Sequence, residues 1–329
     1  MLVTAVALIL AGFMLLIWSA DLLVDNASEM ASQLGISTFL VGIIVVGFGT
    51  SAPEMFVSAM AAIENKGNLA LGNALGSNIT NIGLVLGSAA LVRALPVTRT
   101  TAKIDIPVVI LTGVISIILV SDGILSNFDG YLLLALLVAY LVWSAGFSQG
   151  AGGELEIDTS VIDPHDLDLS SIVHPKGKST STAALLTVVS IALLMLASRM
   201  LVHGAVEIAH YFEVGELVIG LTIVAIGTSL PELAAAISAA RKGVHDMIIG
   251  NIIGSNIFNT LGVLGITGAI QSTNIDTSAL WRDFPVMFMF TVLMFIFALS
   301  KGAFSRREGA ILLLGYVIYI CYLIVATLT

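Results

Sequence analysis

One cysteine, Cys321, stands alone in 329 residues, so no disulfide can form within the chain. Charge is almost as scarce. Asp, Glu, Lys and Arg make up 11% of the residues, against about 25% in a soluble domain, which excludes a water-soluble globule. No Lys or Arg precedes the apolar run 2–17. The positive n-region of a cleavable signal is missing, and the run reads as a first transmembrane helix. A net charge of −9 leaves nucleic acid without a basic surface to bind. Enzyme signatures are missing too. There is no H-E-x-x-H, no Gly-Asp dipeptide of an aspartyl site, and no His positioned to activate a Ser or Thr nucleophile. A membrane enzyme is rejected on these grounds, and no cofactor is expected.

What the chain has is hydrocarbon. Hydrophobic residues make up 57% of it, and mean hydropathy is +1.04. The apolar runs are near-continuous rather than alternating, which selects helices over a lipid-facing barrel. Windows of about 17–25 residues suit a bilayer. They predict an all-α integral membrane protein of about ten helices, near 3–24, 38–63, 69–92, 106–121, 131–147, 183–209, 215–240, 247–270, 284–300 and 309–327. Short connectors such as E-N-K-G-N at 64–68, D-G at 122–123 and R-K-G at 241–243 punctuate them. One longer stretch, 148–182, carries Glu154, Glu156, Asp158, Asp163, Asp166 and Asp168. It reads as an acidic cytoplasmic linker between a first five-helix unit, 1–147, and a second, 183–329. It lacks the D-x-D-x-D-G pattern of a calcium-sensing loop.

The two units repeat one another. G-T-S-A-P-E at Gly49–Glu54 returns as G-T-S-L-P-E at Gly227–Glu232, and G-N-A-L-G-S-N-I-T-N at Gly72–Asn81 returns as G-N-I-I-G-S-N-I-F-N at Gly250–Asn259. Both pairs are 178 positions apart, and 42–87 aligns with its copy without a gap at 19 identities in 46 positions. That offset spans five helices, an odd number, so the second copy crosses the membrane in the opposite sense. Two inverted halves around an axis in the membrane plane are expected, with the motifs meeting near the centre. Orientation follows from the basic residues. With the N-terminus outside, the cytoplasmic connectors hold ten Lys and Arg and the external ones only Lys66 and Arg282. A multi-pass protein of the cell (inner or plasma) membrane is expected, with both termini extracytoplasmic.

Each half places one acid inside an apolar segment, where a charge costs several kcal/mol without a partner. Thr50, Ser51 and Glu54 lie within one helical turn and share a face. Pro53 has no amide hydrogen for the Gly49 carbonyl and crowds it outward. The helix is expected to open there, freeing carbonyls from Gly47 to Thr50. Pro231 repeats the pattern, freeing carbonyls from Ala225 to Thr228 beside Ser229 and Glu232. Ser77 and Asn81 stand at i and i+4 on the next helix, as do Ser255 and Asn259. Gly72 and Gly76, like Gly250 and Gly254, are small-xxx-small steps read as packing. They are expected to draw the third helix against the second and the eighth against the seventh. Carboxylates, hydroxyls, amides and bare carbonyls are hard oxygen ligands, suited to Ca²⁺ and, by the same argument, Na⁺. Asp21 and Arg199 occupy equivalent positions and read as half-buried structural charges. Glu29 and Glu207 also correspond and read as solvated.

The doubled G-T-S-x-P-E and G-N-x-x-G-S-N elements on an inverted-repeat chain resemble the sodium/calcium exchanger family, within the wider Ca²⁺/cation antiporter superfamily. The resemblance covers essentially the whole membrane chain. It implies that Glu54 and Glu232 are shared Ca²⁺ and Na⁺ ligands, with Thr50 and Thr228 giving backbone carbonyls. Ser51 and Ser77 would line one Na⁺ site, Ser229 and Ser255 its mirror image, and Asn81 and Asn259 would complete the middle. Members often carry Asp where Asn81 or Asn259 stands. Here both are Asn, so the centre holds two formal negative charges, and stoichiometry, K⁺ dependence and H⁺ coupling stay open. The function expected is Ca²⁺/Na⁺ antiport by alternating access. A Ca²⁺/H⁺ exchanger is the nearest alternative and a passive cation channel a more distant one. Ca²⁺, Na⁺ and the lipid bilayer are the partners; no obligate protein partner is evident.

Overall fold

The computed structural model describes residues 2–150, 178–212 and 225–328, and it is built almost wholly of helices. The six acids of the predicted linker lie outside the described residues, as does the first part of the predicted helix 215–240. In the first half, α1 is Leu2–Leu34, α2 Thr38–Ile63, α3 Gly67–Val92, α4 Thr101–Leu119 and α5 Asn127–Gly150. In the second half, α6 is Thr180–Tyr211, and α7 comprises Ala225–Thr228 and Leu230–Lys242. Then follow α8 His245–Ile270, α9 Ala279–Lys301 and α10 Arg306–Leu328. Among the described residues, nine of these are long and apolar enough to cross a bilayer.

Several ends differ from the sequence expectation for local reasons. The first helix runs ten residues past its predicted end at 24. Its polar tail is paired: Asn26 donates to the Leu22 carbonyl at 2.6 Å and accepts from Lys178 at 2.8 Å, while Asp25 meets Lys242 at 2.6 Å. It stops only at Gly35, whose φ of +65° suits glycine, and Ile36 donates back to the Ala31 carbonyl at 3.1 Å. Ser37 then caps α2 by accepting from the Leu40 amide. Helices α5 and α10 begin earlier than predicted because an acid in the first turn of each reaches back to cap the start, reciprocated at α5 by the Ser126 hydroxyl, which accepts from the Asp129 amide. Asp129 accepts from the Ser126 amide at 2.9 Å, and Glu308 accepts from the Ser305 amide at 2.6 Å.

The inverted halves are interlocked. Two short ladders each take one strand from either half: β1 (Leu95–Pro96) pairs antiparallel with β4 (Ala303–Phe304), and β2 (Ile124–Leu125) with β3 (Thr273–Asn274). Adding 178 carries Leu95 to Thr273 and Leu125 to Ala303, so each ladder is the image of the other shifted by one residue. Asp105 and Asp283, also 178 apart, both end a π-helical turn, Thr101–Asp105 and Ala279–Asp283. Helices α2, α3, α7 and α8 form the core, and the two longest described helices, α1 and α6, pack on each other beside it. The end of α3 lies against α10 and the end of α8 against α5, so each half lends its last helix to the other.

The glycine expectation needs correcting. Gly250 and Gly254 bring α8 against α2 of the opposite half, not against α7. A Cβ on Gly254 would stand 2.5 Å from the Ile43 carbonyl oxygen, and one on Gly250 would strike that of Phe39. Gly42 answers from the other side, with 2.6 Å to the Met247 carbonyl oxygen. Gly72 and Gly76 meet nothing within 4 Å among the described residues. The positions that the repeat would set against them, 217 and 221, lie outside those residues.

Candidate ion-binding site

Helical irregularity marks where the motifs sit. In α2 a π-helical stretch, Gly42–Gly47, precedes the G-T-S-A-P-E element, and the α-helix then runs unbroken through Pro53. The expected opening is therefore taken up one turn earlier, by the wider π turn, rather than as a break at the proline. In α7 the break is real. Ser229 adopts φ −93°, ψ 7°, and Pro231 sits in the first turn of the new helix, where its missing N–H costs nothing. Asn81 opens a second π turn, Asn81–Leu86, and Asn259 lies in a third, Phe258–Val263. Such turns leave backbone groups imperfectly paired and recur at functional sites.

The structure brings the predicted carboxylates together. Glu54 is 1% and Glu232 2% exposed. Glu232 faces Glu54 closely enough to feel its charge, and the Thr50 hydroxyl from the other half lies within hydrogen-bonding reach of it. Ion pairs among the described residues sit elsewhere, at Glu64–Lys66, Lys242 with Asp21 and Asp25, and Arg282–Asp283. Among the described residues neither glutamate is paired with a base. Both oxygens of Glu54 and Oε2 of Glu232 are buried with no hydrogen-bond partner among the described residues, as are Ser51 Oγ and both polar side-chain atoms of Asn81 and Asn259. Each orphaned polar group costs about 1–3 kcal/mol, more where it is charged. The oxygens among them are acceptors left open to a ligand.

The predicted neutral oxygens lie on the same helices and on those packed against them. Thr50 Oγ1 donates to the Val46 carbonyl at 2.9 Å, and Ser255 Oγ approaches the Gly47 carbonyl oxygen at 3.5 Å, joining α2 to α8. Ser77, Ser229 and Ser255 are buried. Thr228 is half-buried, and the side chain of Ala225 lies outside the described atoms. The Asn81 turn packs against the helix carrying Glu232, and the Asn259 turn against the helix carrying Glu54. Among the described residues no group of three or more His, Cys, Asp and Glu gathers. The arrangement is two buried carboxylates on helices packed against elements that carry further buried, neutral oxygens.

One residue escaped the sequence reading. Asn251, buried beside Gly250, sets its Oδ1 3.4 Å from both Thr50 Oγ1 and Ser255 Oγ, while its Nδ2 has no partner among the described residues. Its repeat equivalent, Asn73, is turned to other work: Nδ2 donates to Ser58 Oγ at 3.0 Å and to the Glu54 carbonyl at 3.3 Å. The doubled Gly-Asn dipeptide was the available signal, but the sequence gives no hint that the two amides differ.

Comparison with known proteins agrees with this geometry. The family model described as sodium/calcium exchanger protein matches residues 4–146 and 182–325. The chain belongs to the sodium/calcium exchanger family. Among its relatives, a protein of Alkalimonas amylolytica bearing the provisional name antiporter CaxA is 42% identical over 318 residues, 96% of this chain and 97% of that one. The sodium/calcium exchanger MaX1 of Methanosarcina acetivorans is 28% identical over 342 residues, 96% of this chain and 97% of its own. A solved structure of the sodium-calcium exchanger NCX_Mj, soaked without Na⁺ and Ca²⁺, superposes with a TM-score of 0.83 at 29% identity, covering 98% of this chain and 100% of that one. This family member is thus a multi-pass membrane protein of two inverted five-helix repeats.

Proposed function

We propose that the protein is a secondary antiporter that exchanges Ca²⁺ for Na⁺, with Glu54 and Glu232 as the shared ligands. The observation that carries this reading is the pair of base-free, buried carboxylates, one from each inverted half, among orphaned oxygens. Two carboxylates neutralise one Ca²⁺. The same oxygens, loaded with Na⁺, cannot also hold it, and competition for ligands gives exchange without covalent chemistry. Thr50, Ser51, Ser77, Asn81 and the Gly47 carbonyl on one side, with Thr228, Ser229, Ser255, Asn259 and the Ala225 carbonyl on the other, complete the oxygen shell. In this reading α1 and α6 move across the four-helix core and expose the site to each side in turn. Residues 1–147 and 183–329 are the two repeats, 148–182 is a cytoplasmic linker, and both termini face outward from the cell membrane, as the bias of basic residues requires.

Asn at both 81 and 259 supports a second reading, in which the glutamates carry protons instead. Ca²⁺ flux in proteoliposomes under Na⁺, K⁺ and pH gradients imposed one at a time separates the two. We expect Ca²⁺ uptake driven by outward Na⁺ with the proton gradient collapsed, and a loss of about a hundredfold or more, roughly 3 kcal/mol, in Glu54→Gln or Glu232→Gln. Uptake driven only by a pH gradient would establish the proton reading. Flux that needs no counter-ion would indicate a channel.

A further inference from the structure

Beside the core, α1, α6 and α7 enclose a crevice of about 500 Å³. Its walls are apolar, from Ile9 on α1 and Leu201 on α6 to Ile226 on α7, and polar groups gather at one end only, at Asp21, Ser238 and Arg241. From Ile9 to Asp21 the helical rise amounts to about 18 Å, close to one leaflet of a hydrocarbon core about 30 Å thick. The polar end lies where α7 finishes at Lys242. The crevice thus has the depth and polarity of a single leaflet, apolar inward and charged at the interface.

The charges at its mouth are not equivalent. Asp21 accepts from Ser238 Oγ at 2.5 Å and lies 3.9 Å from Lys242, which pairs with Asp25 at 2.6 Å. Arg241 is exposed and has no ion pair among the described residues. A guanidinium at a membrane interface matches a phosphate. An apolar crevice of this length matches an acyl chain, because water has no polar partners along its walls. We propose that the crevice binds one acyl chain of an anionic glycerophospholipid whose phosphate is held by Arg241. The chain reaches Gly227 in the second G-T-S-L-P-E element, just before the break at Ser229. The occupant therefore lies between α1 and α6 on one side and the site-bearing helix on the other.

Native mass spectrometry of the full chain, purified in detergent and titrated with phosphatidylglycerol or phosphatidylcholine, tests the assignment. We expect one retained phosphatidylglycerol and weaker retention of phosphatidylcholine. Arg241→Gln should lower phosphatidylglycerol retention about fivefold, the worth of one basic group at a lipid surface, with Arg241→Lys restoring most of it. Ala205→Phe, which fills the crevice away from the rim, should lower retention as well, while eluting as the wild type does. Equal retention of both lipids, or retention of phosphatidylglycerol unchanged in Arg241→Gln or in a well-folded Ala205→Phe, would overturn the proposal. This readout involves no transport, so its failure is distinct from a failure of the antiport reading.

Discussion

Glu54 and Glu232 draw their significance from what does not surround them. A buried carboxylate costs several kcal/mol unless paired, and each of these faces another acid rather than a base. Their burial together was readable from the sequence because an acid inside an apolar run, repeated 178 positions on, has few structural excuses. The role of Asn251 was not readable, since Asn73 occupies the same place in the same motif and differs only in where its amide points. On the antiport reading this difference makes the two flanks of the site unequal. Asn251 touches the Thr50 and Ser255 hydroxyls, both candidate ligands, whereas Asn73 touches Ser58 and the Glu54 backbone. Asn251→Ala should raise the Na⁺ concentration for half-maximal exchange by about fivefold, the worth of about 1 kcal/mol of lost hydrogen bonding. Asn73→Ala should leave it nearly unchanged. Exchange assayed against Na⁺ at saturating Ca²⁺ separates the two, and equal shifts in both variants would show that the asymmetry has no consequence.

At the level of elements, apolar length located the helices and turn chemistry set their ends. The stop at Gly35 and the caps Ser126–Asp129 and Ser305–Glu308 are local signals that hydropathy windows pass over, because polar residues inside a helix end look like connectors. Helix pairing is harder to read, since small-xxx-small steps say that backbones approach but not which backbone. The interlocked answer, α8 against α2 of the opposite half, follows from Gly42, Gly250 and Gly254 meeting carbonyl oxygens across the repeat boundary. Those contacts are with backbone, which cannot swing aside. Gly254→Val should therefore destabilise the protein by about 1–3 kcal/mol, the usual cost of overpacking. Gly146→Ala, where a Cβ meets nothing within 4 Å, should be neutral. Thermal unfolding of the two variants in detergent measures the difference, and equal stability would contradict the close approach.

For the whole molecule, the inverted repeat does two things that neither half could do alone. It seals the fold through ladders and helices exchanged between halves. It also sets one acid from each half against the other, where, on the antiport reading, a divalent cation balances both and monovalent ions take its place. The symmetry was legible from the fixed offset, whereas the departure from symmetry was not. An unbroken α2 beside a broken α7 is a difference that the near-identical motifs do not encode. The account rests on a single shared cation site, and equilibrium Ca²⁺ binding to the purified protein, by calorimetry with and without Na⁺, tests it most directly. The predicted result is Ca²⁺ binding that Na⁺ displaces competitively and that disappears in the Glu54→Gln/Glu232→Gln double variant. Ca²⁺ binding that survives in the double variant, or that Na⁺ leaves untouched, would contradict it.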